Sequence, residues 1–544
     1  MRDPRAKWRI SILVLVLAVA AAACSEGESV DVGDETTTTT GEATTETTEG
    51  STTETTEAMT ETTEAMVDDG MILVAAQGSE PDQLDPHMTS AYASFQVLEN
   101  VYDTLVQPAA DLSMEPALAE SWEISEDNLT WTFHLRAGVT FHNGRELVAD
   151  DVVYSFQRVI DEGLNGWRFA AVESMDAPDD STVVITLTQP SPNLLVSIAG
   201  FKGMAIIPQE IVDDGSIGTN PVGTGPFRFV SQSPDEGILL EKNPDYWRAD
   251  EGLPILDGIL FRQIPDASTK LTALRTGEVH WIDSVPPQDI ESLEAEDGIT
   301  VGRVPGGDYH YFALNQSREP FDDVRVRQAI AMAIDRDEIA LAAQFGAATP
   351  NETAIPASNA AWYYDYAPYA PADIEGAQTL LDEAGVSDLE IEFLVTSDFP
   401  ETVTQAEVIA AELAALGISV VINDVDFSTW LDMEANGEFD AFMLSWVGNI
   451  DPDDFYYAQH HSEGGFNFQG YSNSEVDELL DAARVETDQA ARKALYDQAA
   501  QLIVDEASYI YLYNPDNINA WRDELGGYST RGDNAIRFEE ATLN

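Results

Sequence analysis

Two hydrophobic periods alternate along residues 70–544. Trp131, Phe133 and Leu135 share one face of a short segment whose other face carries Thr130, Thr132 and His134. That period of two belongs to a half-buried strand. Val183, Ile185 and Leu187 repeat the pattern, and residues 71–75 form a short apolar strand. Asp150 opens a helix with Val152, Val153, Phe156, Val159 and Ile160 on one face, and a stripe of Phe95, Leu98, Val101, Tyr102 and Leu105 predicts another over residues 91–105. Farther on, helix, glycine and strand recur as a unit. Ile374, Ala377, Leu380, Leu381 and Ala384 form a stripe, Gly385 ends it, and Leu389, Ile391 and Phe393 form a strand. Ala406, Ile409, Ala410 and Leu413, then Gly417, then Ile418, Val420 and Ile422 repeat the order. Glycine just past a helix accepts the left-handed conformation that ends it. Two such units in succession imply parallel strands and an α/β fold class. Residues 475–485 and 489–505 read as helices and 509–513 as a strand.

The first 69 residues follow neither period. Arg2, Arg5, Lys7 and Arg9 precede an apolar stretch over residues 10–23, and Ala21-Ala22-Ala23 leads into Cys24. This is the layout of a secretory signal, with an apolar run too short for a comfortable membrane span. Cys24 is the one cysteine in 544 residues, which excludes disulfides within the chain and any thiolate metal cage. Small residues before a lone cysteine resemble a bacterial lipobox, with Ala21 where leucine is common. The resemblance implies a lipid on Cys24 and an exported protein tethered to the cell membrane. Residues 25–69 are mostly Thr and Glu, hold 14 acidic residues and no Lys or Arg, and read as a disordered stalk.

The formal charge is −72. Beyond the stalk stand 83 acidic and 22 basic residues, a charge of −61. Such a surface repels nucleic acid and anionic lipid. Acid spread along the whole chain reads as a compositional bias rather than a field for steering cations. No Gly-x-Ser-x-Gly, His-Glu-x-x-His or phosphate-loop motif occurs, and no catalytic residue, metal site or cofactor is expected. Of seven histidines only His460 and His461 are adjacent, and they read as a solvated loop. A secreted glycoside hydrolase, which needs only two carboxylates in a cleft, is the alternative of the enzyme class.

A series of phrases runs in order through residues 70–544. It begins with Leu84-Asp85-Pro86, Tyr102-Asp103-Thr104-Leu105 and Leu118-Ala119-Glu120-Ser121-Trp122, and continues through residues 130–156. Gly223-Thr224-Gly225-Pro226-Phe227 and Asn243-Pro244-Asp245-Tyr246-Trp247 follow, then Ala273-Leu274-Arg275-Thr276-Gly277-Glu278 and Pro320-Phe321-Asp322-Asp323-Val324-Arg325. The last are Asp451-Pro452-Asp453 and Gly470-Tyr471-Ser472-Asn473. The series resembles the peptide/nickel (dipeptide- and oligopeptide-binding) solute-binding proteins of ABC importers, family 5. The resemblance implies a two-lobe hinged fold of the periplasmic-binding-protein type, class II, with an inserted domain. Lobe I would combine residues 70–103, 222–308 and 505–544, the inserted domain 104–221 and lobe II 309–504. Residues 309–314 and 509–513 would be hinge strands.

It also implies a monomeric receptor, not an enzyme, that delivers a small solute, a peptide in the first place, to permease subunits. Oligosaccharide or metal-chelate uptake on the same fold is the alternative. In peptide-binding members an aromatic residue and an aspartate three positions later face the ligand. Here Trp446 fits the first position and Asn449, a neutral amide, stands at the second. Asp451 and Asp453 are the nearby carboxylates that could compensate, although the resemblance makes Asp451-Pro452 part of a structural turn. Trp167 and Phe169, flanking Arg168, lie where some members contact ligand, and Tyr309 and Tyr311 lie near the hinge.

Overall fold

The computed structural model describes residues 70–200, 203–234, 236–448 and 450–544. Cys24, the Thr/Glu-rich stretch and Asn449 lie outside the described residues.

Most predicted elements form where the periods put them. Thr130–Leu135 is a strand with alternating burial, Ala149–Asp161 a helix, and Gln489–Asp505 a helix. Gly385 and Gly417 end their helical stretches at φ 72° and 74°, and Glu390–Val395 pairs in parallel with Ser419–Asp424. The helix expected over 91–105 is shorter: it spans Tyr92–Leu98. Beyond it the carbonyls of Asn100 and Val101 accept the amides of Phe227 and Gly225, both at 3.0 Å, so they do not continue the helical ladder. Val101, Tyr102 and Leu105 are still buried, as the stripe required.

Three hydrophobic cores organise the chain. One surrounds Ile72–Gln77 and Gly258–Gln263 and includes Trp281 and Phe538. A second fills the space between the four-stranded sheet of Thr130–Leu135 and its neighbours and the helix Ala149–Asp161. The third runs from Tyr309 to Tyr513. Arg158 ties the second unit to the first through both oxygens of Asp85, at 2.6 and 2.9 Å, which gives the Leu-Asp-Pro phrase a structural role.

One 12-stranded sheet passes through the first and third units. The chain crosses between them first at residues 306–308, from the strand Ile299–Pro305 to the strand Tyr309–Leu314. It returns inside a single strand, Ile510–Arg522, whose early residues pair with Tyr309–Leu314 and whose later residues pair with Ile299–Pro305. The two crossings touch, because Gly306 N donates to Pro515 O over 2.9 Å. Along this strand the partner changes from Tyr309–Leu314 to Ile299–Pro305 near residues 514–516. Ile510, Tyr511 and Tyr513 pair with residues of Tyr309–Leu314, Tyr509 stacks on Tyr311, and with Leu512 they belong to the third core.

Candidate functional site

Residues 307 and 308 of the first crossing line a cleft of about 390 Å³. Lobe I contributes Tyr92 and Phe95 from the helix Tyr92–Leu98, Glu99 at its C-terminal end, and Arg537 from the C-terminal segment. The inserted segment contributes Arg168 and Val196, and lobe II contributes Asn359, Val447, Gly448 and Ile450. Gly307 and Asp308 lie between them.

Local bonding holds these pieces in place. The strand Ala441–Trp446 ends at the cleft, and the following loop is fixed twice: Asp308 Oδ1 accepts Gly448 N at 2.9 Å, and Asn359 Nδ2 donates to Ile450 O at 2.8 Å. The loop passes so close to the hinge that a Cβ on Gly448 would lie 1.8 Å from Gly307 O. Only glycine allows that approach.

Both signs of charge face the cleft. Arg168 reaches Asp454 of lobe II at 3.6 Å, and Asp533 is paired with Arg531 at 2.7 Å. Arg537 Nη1 donates to Gln107 Oε1 over 3.2 Å. Glu99 Oε2 accepts Ile536 N at 2.6 Å. Burial pushes the Glu99 carboxyl up to about 7, against the pull of Arg537 and the Ile536 amide.

The residues singled out in the sequence separate into groups. Arg168 lines the cleft; Trp167 beside it is 56% exposed with the Arg168 guanidinium 4.5 Å over its ring. Phe169 is a correction: it is buried and packs on Phe156 at 5.1 Å, inside the second core. Asp451 is a second correction. Arg492 takes both its oxygens, at 2.6 and 2.7 Å, in a buried pair that leaves no carboxylate for a solute. Tyr309 and Tyr311 are also corrected, from hinge-side contacts to core: both are buried, and Tyr311 stacks on Tyr509 at 4.1 Å. Trp446 is half-buried on the helix-covered face of its strand, edge-on to Phe466 at 4.9 Å, and does not line the cleft. With the Gln459 amide oriented to satisfy both its ends, Trp446 Nε1 donates to it over 3.1 Å. His460 and His461 are not in a solvated loop. Both are buried at the end of the helix Asp453–His460, where His460 bonds Ser508 Oγ and the Tyr511 hydroxyl at 2.9 and 2.8 Å.

Sequence reasoning missed Glu99, Asp308 and Arg537. Each is a charged residue with no motif around it, and only the tertiary placement distinguishes it from a solvated group. Among the described residues no cluster of three His, Cys, Asp or Glu is arranged to hold a metal ion, and no helix is long and apolar enough to cross a membrane.

Comparison with known proteins fits this arrangement. Probable di/tripeptide-binding protein 5 of Pseudomonas aeruginosa (strain UCBPP-PA14) is 32% identical over 475 residues, 81% of this chain and 89% of that protein. Heme-binding protein A of Haemophilus influenzae (strain ATCC 51907 / DSM 11121 / KW20 / Rd) is 32% identical over 459 residues, 78% of this chain and 82% of that protein. Among solved structures, the periplasmic binding protein DppA of Helicobacter pylori in complex with peptide STSA has a TM-score of 0.72 at 30% identity, covering 88% of this chain and 99% of that one. These relatives are binding proteins, not enzymes. The family model of the bacterial extracellular solute-binding proteins, family 5 Middle, matches residues 113–467, and the chain belongs to that family.

Proposed function

We propose that this chain captures a small solute, a peptide in the first place, in the cleft between its lobes and delivers it to the permease of an ABC importer. The observation that carries this reading is that both lobes, the inserted segment and the hinge all wall one cleft. A solute held there contacts surfaces that must part to release it, which couples occupancy to domain closure. Apolar side chains for a solute's body, with both signs of charge for its ends, suit a short peptide. Relatives named for di- and tripeptides and for the peptide STSA support the same class. In this reading residues 70–103, 222–308 and the C-terminal segment act as one lobe, residues 309–504 and the first half of the returning strand act as the other, and the inserted domain 104–221 moves with the first. Cys24 carries a lipid, the Thr/Glu-rich stretch spaces the receptor from the membrane, and the receptor works as a monomer.

The test is a thermal-shift panel of di- and tripeptides, haem, oligosaccharides and nickel chelates. A ligand that binds only the folded chain raises its melting temperature. Stabilisation by peptides, confirmed by calorimetry, is the expected result. A response to haem or sugars alone would overturn the peptide class while leaving the receptor reading in place.

A further inference from the structure

We infer that Glu99 is the group that takes the cationic end of the solute. The inference rests on the peptide reading and makes it more specific. Among the described residues three carboxylates line the cleft. Asp533 is held through both oxygens by Arg531, at 2.7 and 2.9 Å. Asp308 is engaged in the hinge, where it accepts Gly448 N. Glu99 has a single backbone amide on one oxygen and forms no ion pair among the described residues. Its cavity neighbours Tyr92 and Phe95 lie on its own helix, with Val447 also lining the cleft. A carboxylate in such surroundings carries a desolvation cost that Arg537 and the Ile536 amide offset only in part, and a solute ammonium offsets more of it. Asn449 is an amide and supplies no charge. Glu99 supplies the negative charge from the end of the helix Tyr92–Leu98.

The electrostatics point the same way. The charged or titratable groups that bear on Glu99 are Tyr92 from its own helix, Tyr528, and Arg531, Asp533 and Arg537 from the C-terminal segment; Asp308 and Arg168 share its cavity. Burial outweighs the arginines and leaves the carboxyl near 7, so it is part-protonated in the empty cleft at neutral pH. A bound ammonium favours the ionised form. Binding then releases a proton, and affinity rises by about 5–10-fold from pH 6.0 to 7.5. The direction is set by a folded-state pKa that falls on binding.

The experiment uses the mature chain with a pool of di- and tripeptides bearing free amino termini and with the same pool N-acetylated. Native mass spectrometry identifies the peptide retained, and calorimetry of that peptide in two buffers of different ionisation enthalpy counts protons. The expected result is capture from the free pool, at least tenfold weaker binding of the acetylated form, and proton release at pH 7. Glu99→Gln, whose amide oxygen still accepts Ile536 N, should lose at least tenfold in affinity and the pH dependence, while its melting temperature at pH 7 stays at or above the wild-type value because no carboxyl then ionises at a buried position. Equal binding of acetylated peptide, or wild-type affinity in Glu99→Gln, would overturn the inference and leave the peptide reading intact. Capture from neither pool would overturn the peptide reading itself. Should Glu99→Gln fail to fold, proton release by the wild-type chain decides, and its absence counts against Glu99.

Discussion

Arg168 and Asp454 meet across the cleft, Nη1 to Oδ2 at 3.6 Å, one on the inserted segment and the other in the first turn of the helix Asp453–His460. Their side chains are only 11% and 17% exposed, so the contact is largely screened from solvent. Because the partners belong to opposite walls, opening the cleft separates them. Arg168→Gln or Asp454→Asn is expected to speed solute release by about 3–10-fold, in line with about 1 kcal/mol for such a pair. Stopped-flow displacement checks this, and the exchanged pair Arg168→Asp with Asp454→Arg should recover part of the loss.

The Asp451–Arg492 pair makes the opposite prediction. Both members are buried, and Arg492 also lies 5.1 Å over the Trp362 ring. Asp451→Asn strands a buried guanidinium and should cost about 3–5 kcal/mol of stability. Urea titration measures the loss, while calorimetry at a temperature where the variant is folded should return wild-type affinity.

Gly448→Ala tests the approach of the loop to the hinge. The new methyl meets Gly307 O, a backbone atom that cannot swing aside. The loop must retreat, carrying Val447 and Ile450 with it. Affinity should fall by about tenfold or more, since 1.4 kcal/mol of lost fit already gives that factor. An affinity unchanged within twofold would mean that this loop does not set the cleft's shape.

Glu434 sets a pH dependence of stability. It is buried on the helix Phe427–Asn436, and burial pushes its carboxyl up to about 8. A carboxyl with a raised folded-state value favours the fold below its unfolded value near 4.3, and that contribution is lost as pH rises through 8. Glu434→Gln should therefore stabilise the chain by about 1–3 kcal/mol at pH 8.5 and by little at pH 4.5. Melting curves at the two pH values distinguish this from a uniform packing effect.

Cys24→Ser is expected to move the protein from the membrane fraction to the soluble exported fraction, with solute affinity unchanged. Fractionation and immunoblotting read the result, and retention in the membrane would remove the lipid anchor from the proposal.

Local periodicity carried much of the fold. Gln489–Asp505 is helical to the residue, and the apolar runs that begin at Tyr309 and Ile510 pair with each other as strands. The site was less legible. Trp446 pairs with Tyr309 across the ladder and so shares the face covered by Tyr309's neighbours, while Val447, one residue on, lines the cleft. Family resemblance located the segment, but strand alternation decided the face. Glu99 sits at a helix end and Arg537 near the C-terminus. Nothing local marks either, because their shared cleft depends on how the returning strand registers against both lobes.

The bond between Gly306 and Pro515 ties the two crossings into one narrow ribbon. Two strands joined side by side resist sliding past each other and resist splaying, but yield readily to twisting and bending about their common line. The lobes are thus left with a single soft coordinate, like covers on a spine. In the proposed receptor, an empty and an occupied cleft would then differ chiefly by one angle.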